Sequence, residues 1–107
     1  MVCFGISANA QKYVKITGVQ YSSNKIIVNV ALTEEGKREC ASVDFKVVPK
    51  KGAPTSVIND GVKYGQIRSG STTSVTFGCG EEDKEKAQQC RLYDFDIIDI
   101  DYEKKKN

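Results

Sequence analysis

Alternation with a period of two runs through most of this chain and limits its possible folds more than any other feature. In KIIVNVALT (residues 25–33), Ile26, Val28, Val30 and Leu32 share one face while Asn29 and Ala31 share the other. In SVDFKVV (42–48), Val43, Phe45 and Val47 oppose Asp44 and Lys46. In TSVTFGC (73–79), Thr73, Val75, Phe77 and Cys79 oppose Ser74 and Thr76. Successive side chains project to opposite faces only when the backbone is extended, so these segments are half-buried strands, and their β-branched content agrees. In YVKITGVQY (13–21), Val14 and Ile16 have one parity and Val19 and Tyr21 the other. Gly18 sits at the switch, where a bulge rotates a strand by one residue.

Turn-forming residues punctuate the strands. They are Ser22, Ser23 and Asn24; Glu34, Glu35, Gly36 and Lys37; residues 49–54 with their two prolines; Asn59, Asp60 and Gly61; and Ser69, Gly70 and Ser71. Asn59-Asp60-Gly61, between Ile58 and Val62, is the strongest hairpin signal. About seven strands result, near residues 2–7, 12–21, 25–33, 41–48, 62–68, 72–79 and 91–103. Residues 81–89, EEDKEKAQQ, lead with acids and contain good helix formers but have no apolar face, so they predict one short solvated helical loop. The reading is all-β: a single antiparallel β-sandwich over residues 1–103 with a basic C-terminal tail at 104–107.

The last strand carries the most conspicuous motif, YDFDIIDIDY (93–102), with Asp94, Asp96, Asp99 and Asp101 spaced about Ile97 and Ile98. As one strand bulged near Ile97-Ile98, it keeps aromatic and aliphatic side chains inward and all four aspartates on the solvent face. Aspartates two apart along a strand lie ~7 Å apart, which does not converge on the six or more oxygens calcium needs. A negative solvent face also protects an apolar strand from edge-to-edge pairing.

Four cysteines, Cys3, Cys40, Cys79 and Cys90, occur with no histidine. No Cys-x-x-Cys spacing suggests zinc, so the expectation is no metal and no cofactor. An even count in a small strand-rich chain reads as two disulfides formed in an oxidising compartment. The favoured pairing is Cys79–Cys90, closing the base of the polar loop, with Cys3–Cys40; four buried free thiols are the alternative. Residues 2–7, VCFGIS, followed by Ala8-Asn9-Ala10, resemble the end of a secretory signal. The apolar part is short for that role and no basic segment precedes it, which favours an ordinary first strand.

The missing histidine removes the commonest general base, and no nucleophile elbow, Ser-x-x-Lys motif or phosphate loop is present, so an enzyme is not expected. The net charge is +2, divided into +5 over residues 1–80 and −3 over 81–107. That polarity favours head-to-tail association. The basic clusters lack interleaved aromatics, so nucleic acid is not expected, and no apolar run reaches the ~20 residues of a membrane span. The exposed loops are left as candidate contacts: Lys50 and Lys51, Tyr64, and Glu81, Glu82 and Asp83, with Tyr21 beside a turn.

IRSGSTTSVTF (67–77) is a strand, a Ser-Gly turn and an alternating strand. It is similar to the corresponding hairpin of immunoglobulin-like and fibronectin-type-III-like extracellular modules, including headpieces of archaeal pilin and archaellin-type filament proteins. YVKITGVQYSSNKIIVNV (13–30) looks like their opening hairpin. The chain departs from antibody-type domains in having no Trp between its cysteines, and from pilins in lacking a long apolar helix. The resemblance implies a secreted or cell-surface module that binds another protein, copies of itself included. A structural subunit of an extracellular filament or surface layer, built by β-strand addition, is the alternative.

Overall fold

The computed structural model describes residues 12–50, 58 and 61–106. Among them the chain is mostly β, with two three-stranded antiparallel sheets. The strands are β1 (Val14–Ser22), β2 (Lys25–Leu32), β3 (Cys40–Pro49), β4 (Lys63–Arg68), β5 (Thr72–Gly78) and β6 (Phe95–Lys104). One sheet has the order β1-β2-β5 and the other β4-β3-β6. The expected strand at residues 2–7 lies outside the described residues, which leaves six strands rather than seven.

The alternation expected for β2, β3 and β5 is what buries them. Ile26, Val28, Val30 and Leu32 from β2 meet Val43, Phe45 and Val47 from β3, with Val75 and Phe77 from β5, in one shared core. Phe77 and Phe95 bring the two sheets together with ring centroids 5.5 Å apart. Gly65 on β4 makes room for this packing, because a Cβ there would stand 2.6 Å from the Phe45 ring. Gly18 does mark a bulge, where the β1–β2 register slips between Ile16 and Gly18 and restores Val19 and Tyr21 to the inner side.

Between β1 and β2 the chain turns in two residues, Ser23 (φ 48°) and Asn24 (φ 65°), both left-handed as a type I′ hairpin requires. Of Asn59, Asp60 and Gly61, the first two lie outside the described residues, and Ile58 before them bridges Cys79, the residue just after β5. A turn at Ser69-Gly70 joins β4 to β5, with Gly70 at φ 84°, and closes one flank of the molecule by linking the two sheets.

Glu34, Glu35, Gly36 and Lys37 form no simple turn. They begin α1 (Glu34–Glu39), which crosses from one sheet to the other. Thr33 caps it by accepting the Gly36 N–H at 3.0 Å, with acids in the first turn and Lys37 and Arg38 in the last. The expected helical loop is present as a 3-10 turn over Glu81–Asp83 followed by α2 (Lys84–Ala87). The last strand starts at Phe95, later than expected, because Leu92–Asp94 forms a 3-10 turn. At its other end β6 extends into the expected tail: Lys104 pairs with Cys40, and the Lys105 N–H donates to the Glu39 carbonyl at 2.9 Å.

Candidate functional site

Among the described residues, the flank opposite the β4–β5 turn is open. There β1 and β6 each form the edge of a sheet, with a hydrogen-bonded strand on one side only among the described residues. The 3-10 turn Leu92–Asp94 packs against β1 across the gap. Between the two edges runs a groove of ≈ 390 Å³ lined by Val14, Ile16, Leu92, Tyr93, Phe95 and Ile97. Val14, Phe95 and Ile97 are buried members of the core and form its floor, whereas Leu92 is 42% and Tyr93 67% exposed at its mouth. Lys15, Lys50 and Asp96 bring charge to the rim.

Local chemistry fixes this arrangement. Asp94 accepts the Arg91 N–H at 2.7 Å, which holds the 3-10 turn and aims Leu92 and Tyr93 outward. The Lys50 N–H donates to the Asp94 carbonyl at 2.8 Å, and its ammonium lies 3.8 Å from Asp96, so the end of β3 is tied to the start of β6. At the other end of the seam the Tyr13 ring lies 4.7 Å from that of Tyr102, and the Tyr13 hydroxyl donates to Glu39. Hydrogen bonding with Tyr102, then burial, holds the Tyr13 phenol well above its ordinary range.

The residues singled out in the sequence do not gather into one site. Lys50 reaches the seam; Lys51 lies outside the described residues. Tyr64, 73% exposed, stands on the outer face of the other sheet with the Lys46 ammonium 5.0 Å from its ring centroid. Glu81 accepts from the Asn24 amide at 3.0 Å, which fastens the polar loop to the β1–β2 turn, while Glu82 is exposed and Asp83 half-buried beside it. Tyr21 is half-buried and bonds Asn24 through its hydroxyl at 3.1 Å. Tyr93, expected to face inward as the first residue of YDFDIIDIDY, is exposed because Leu92–Asp94 forms a 3-10 turn instead of strand. Leu92 carried no signal of its own, since an apolar residue just before an alternating run reads equally well as more of the strand.

Cys40, Cys79 and Cys90 are free, buried thiols in this structure, and Cys3 lies outside the described residues. Burial first, then the Asp94 carboxylate and Cys79, pushes the Cys90 thiol up to about 11. Burial, followed by Asp83 and Glu81, raises Cys79, and burial with Glu39 and Glu35 raises Cys40. Low reactivity follows from protonated, buried sulfur.

The four aspartates of YDFDIIDIDY are separated by the fold. Asp94 caps the 3-10 turn instead of lying on the strand, Asp96 faces Lys50, Asp99 bonds Lys46, and Asp101 lies opposite Asp44. Among the described residues, no three Cys, Asp or Glu side chains are grouped to hold a metal ion. No helix among them is long and apolar enough to cross a membrane. The chain matches no protein-family model, no curated protein and no solved structure with which it was compared.

Proposed function

We propose that the chain is a non-enzymatic secreted or cell-surface module, an immunoglobulin/fibronectin-III-like β-sandwich in plan, that binds another protein along the β1–β6 seam. The observation that carries this reading is an apolar groove lying between two sheet edges with Leu92 and Tyr93 exposed at its mouth. Edge strands carry unpaired backbone donors and acceptors, and a groove that takes alternate apolar side chains suits an extended partner segment. The even cysteine count in a small strand-rich chain supports an extracellular setting. The same groove favours a second reading, a structural subunit of an extracellular filament or surface layer joined by strand addition.

The test uses chain 12–107, which retains both sheets and every described core residue. A labelled hexapeptide alternating Ile and Thr should bind it, and Leu92→Asp should weaken that binding at least tenfold while the circular dichroism spectrum is unchanged. A peptide that does not bind, or that binds the variant equally well, removes the reading.

A further inference from the structure

We propose that the partner at the seam is the seam of a second copy of this chain, related by a two-fold axis running along the groove, so that β1 of each copy lies beside β6 of the other. This rests on the reading of the seam as a strand-accepting groove and names what the groove accepts.

Strand direction is the first argument. The Tyr13 ring, at the start of β1, lies 4.7 Å from that of Tyr102, near the end of β6. At the other end Tyr21 pairs with Ile26 and Ile26 with Phe77, whose ring lies 5.5 Å from that of Phe95, the first residue of β6. The two edges therefore run in opposite directions at matched heights. A two-fold axis parallel to them keeps each strand at its height and exchanges the two sheets, so β1 meets the partner's β6 antiparallel. Two continuous six-stranded sheets result, each joining β5-β2-β1 of one copy to β6-β3-β4 of the other. The bulges at Gly18 and Asp99 both lie midway along their strands, so they fall beside each other. Leu92 and Tyr93, exposed at each mouth, come to face the other copy's groove.

Charge selects this arrangement. β1 carries Lys15 and no acid, whereas β6 carries Asp96, Asp99, Asp101 and Glu103 against Lys104 alone. Pairing β6 with another β6 sets acid against acid, which is unfavourable. Pairing it with β1 brings Lys15 to the height of the partner's Asp101. Both are exposed. Among the described residues neither has an ion-pair partner within the chain, whereas Asp96 faces Lys50 and Asp99 bonds Lys46. Complementary edges on one flank are what a closed, self-complementary interface requires.

The test follows the mass of the full chain by sedimentation over a dilution series, in reductant so that no disulfide joins the copies. The parent should have the mass of two chains. Lys15→Asp and Asp101→Lys, both surface changes, should each weaken that dimer at least tenfold with unchanged circular dichroism. An equimolar mixture of the two variants should recover the mass of two chains with close to the parent's affinity, because every contact then pairs opposite charges. A monomeric parent overturns the inference, as does a mixture no tighter than either variant alone. A parent whose mass grows steadily with concentration also overturns it, since strand addition would then be open-ended. The labelled hexapeptide decides the reading beneath: a monomeric parent that binds it leaves that reading standing, whereas a peptide that binds neither the parent nor the variants removes it.

Discussion

The Lys46 ammonium lies 2.8 Å from the Asp99 carboxylate, and Asp99 reaches it from a left-handed backbone, φ 53°, at the bulge of β6. Along β3 the pairing jumps from Asp101 opposite Asp44 to Ile98 opposite Lys46, so Asp99 and Ile100 together stand opposite Phe45 and β6 carries one extra residue. The bulge restores the parity that Phe95, Ile97 and Tyr102 need, and the ion pair marks where the strand turns. Asp99→Asn should change denaturant stability little, since Asn tolerates this backbone and the lost pair is exposed. Asp99→Val should cost about 1–2 kcal/mol, because a β-branched residue resists positive φ. Equal midpoints for the two variants would contradict the assignment of the bulge.

The remaining aspartates should separate by role. Asp96→Asn should leave stability within the scatter of surface changes. Asp94→Ala removes the acceptor that holds the Arg91 N–H and should cost about 0.5–2 kcal/mol in urea unfolding, as loss of a cap does. Phe95→Ala, which empties a core position against Phe77, should cost about 3–5 kcal/mol. This ordering places the fold's dependence on Phe95 and not on the acids around it.

At the β1–β2 hairpin, Asn24 combines a left-handed backbone with four fastenings. Its side-chain amide donates to Glu81, its Oδ1 accepts from the Tyr21 hydroxyl, its N–H donates to that hydroxyl at 3.3 Å, and its carbonyl accepts the Cys79 N–H at 3.1 Å. Asn24→Ala keeps only the two backbone bonds and should cost about 2–3 kcal/mol by chemical denaturation, combining positive-φ strain with lost side-chain bonds. Ser23→Asn should stabilise slightly, since Asn suits the first position of a type I′ turn. A stabilising Asn24→Ala would refute the described turn.

Gly36 offers a case in which helix propensity gives the wrong sign. Ala in a helix interior ordinarily gains about 1 kcal/mol over Gly. Here a Cβ would lie 2.2 Å from the Tyr13 carbonyl oxygen and 3.2 Å from Leu32. Gly36→Ala should therefore lower the thermal midpoint, with a net cost of about 1–3 kcal/mol from the forced shift of α1.

Strand positions were legible in the sequence because each strand buries one face, and burial writes itself as alternation; even the Gly18 bulge showed as a change of parity. Short-range chemistry was less legible. Asn59 and Asp60 of the strongest turn signal lie outside the described residues, whereas the two-residue hairpin at Ser23-Asn24 draws on Asn24, which is fastened by residues as distant as Glu81. The helix at Glu34–Glu39 was obscured by Gly36, whose presence answers to Tyr13, 23 positions away. The seam was the least legible feature. It arises where β1 and β6, at opposite ends of the chain, become edges of different sheets, and no local pattern records that juxtaposition.

Cys79 and Cys90 flank the polar loop as free, buried thiols, and their titration gives a pH test. Both thiols are pushed up by burial, Cys90 from 9.0 to about 11. A raised folded pKa means that, above the unfolded value, the unfolded chain has released a proton the folded chain retains. The thiol's contribution is therefore fully present below pH 9 and is lost as pH rises from 9.0 to about 11. Tyr13 and Lys46 are also raised and act in the alkaline range, so the measurement is a difference between the parent and Cys90→Ser in denaturant midpoints at each pH. The parent should lose more stability than the variant across that window. Equal losses in the parent and Cys90→Ser would show that burial does not hold the Cys90 thiol protonated across that range.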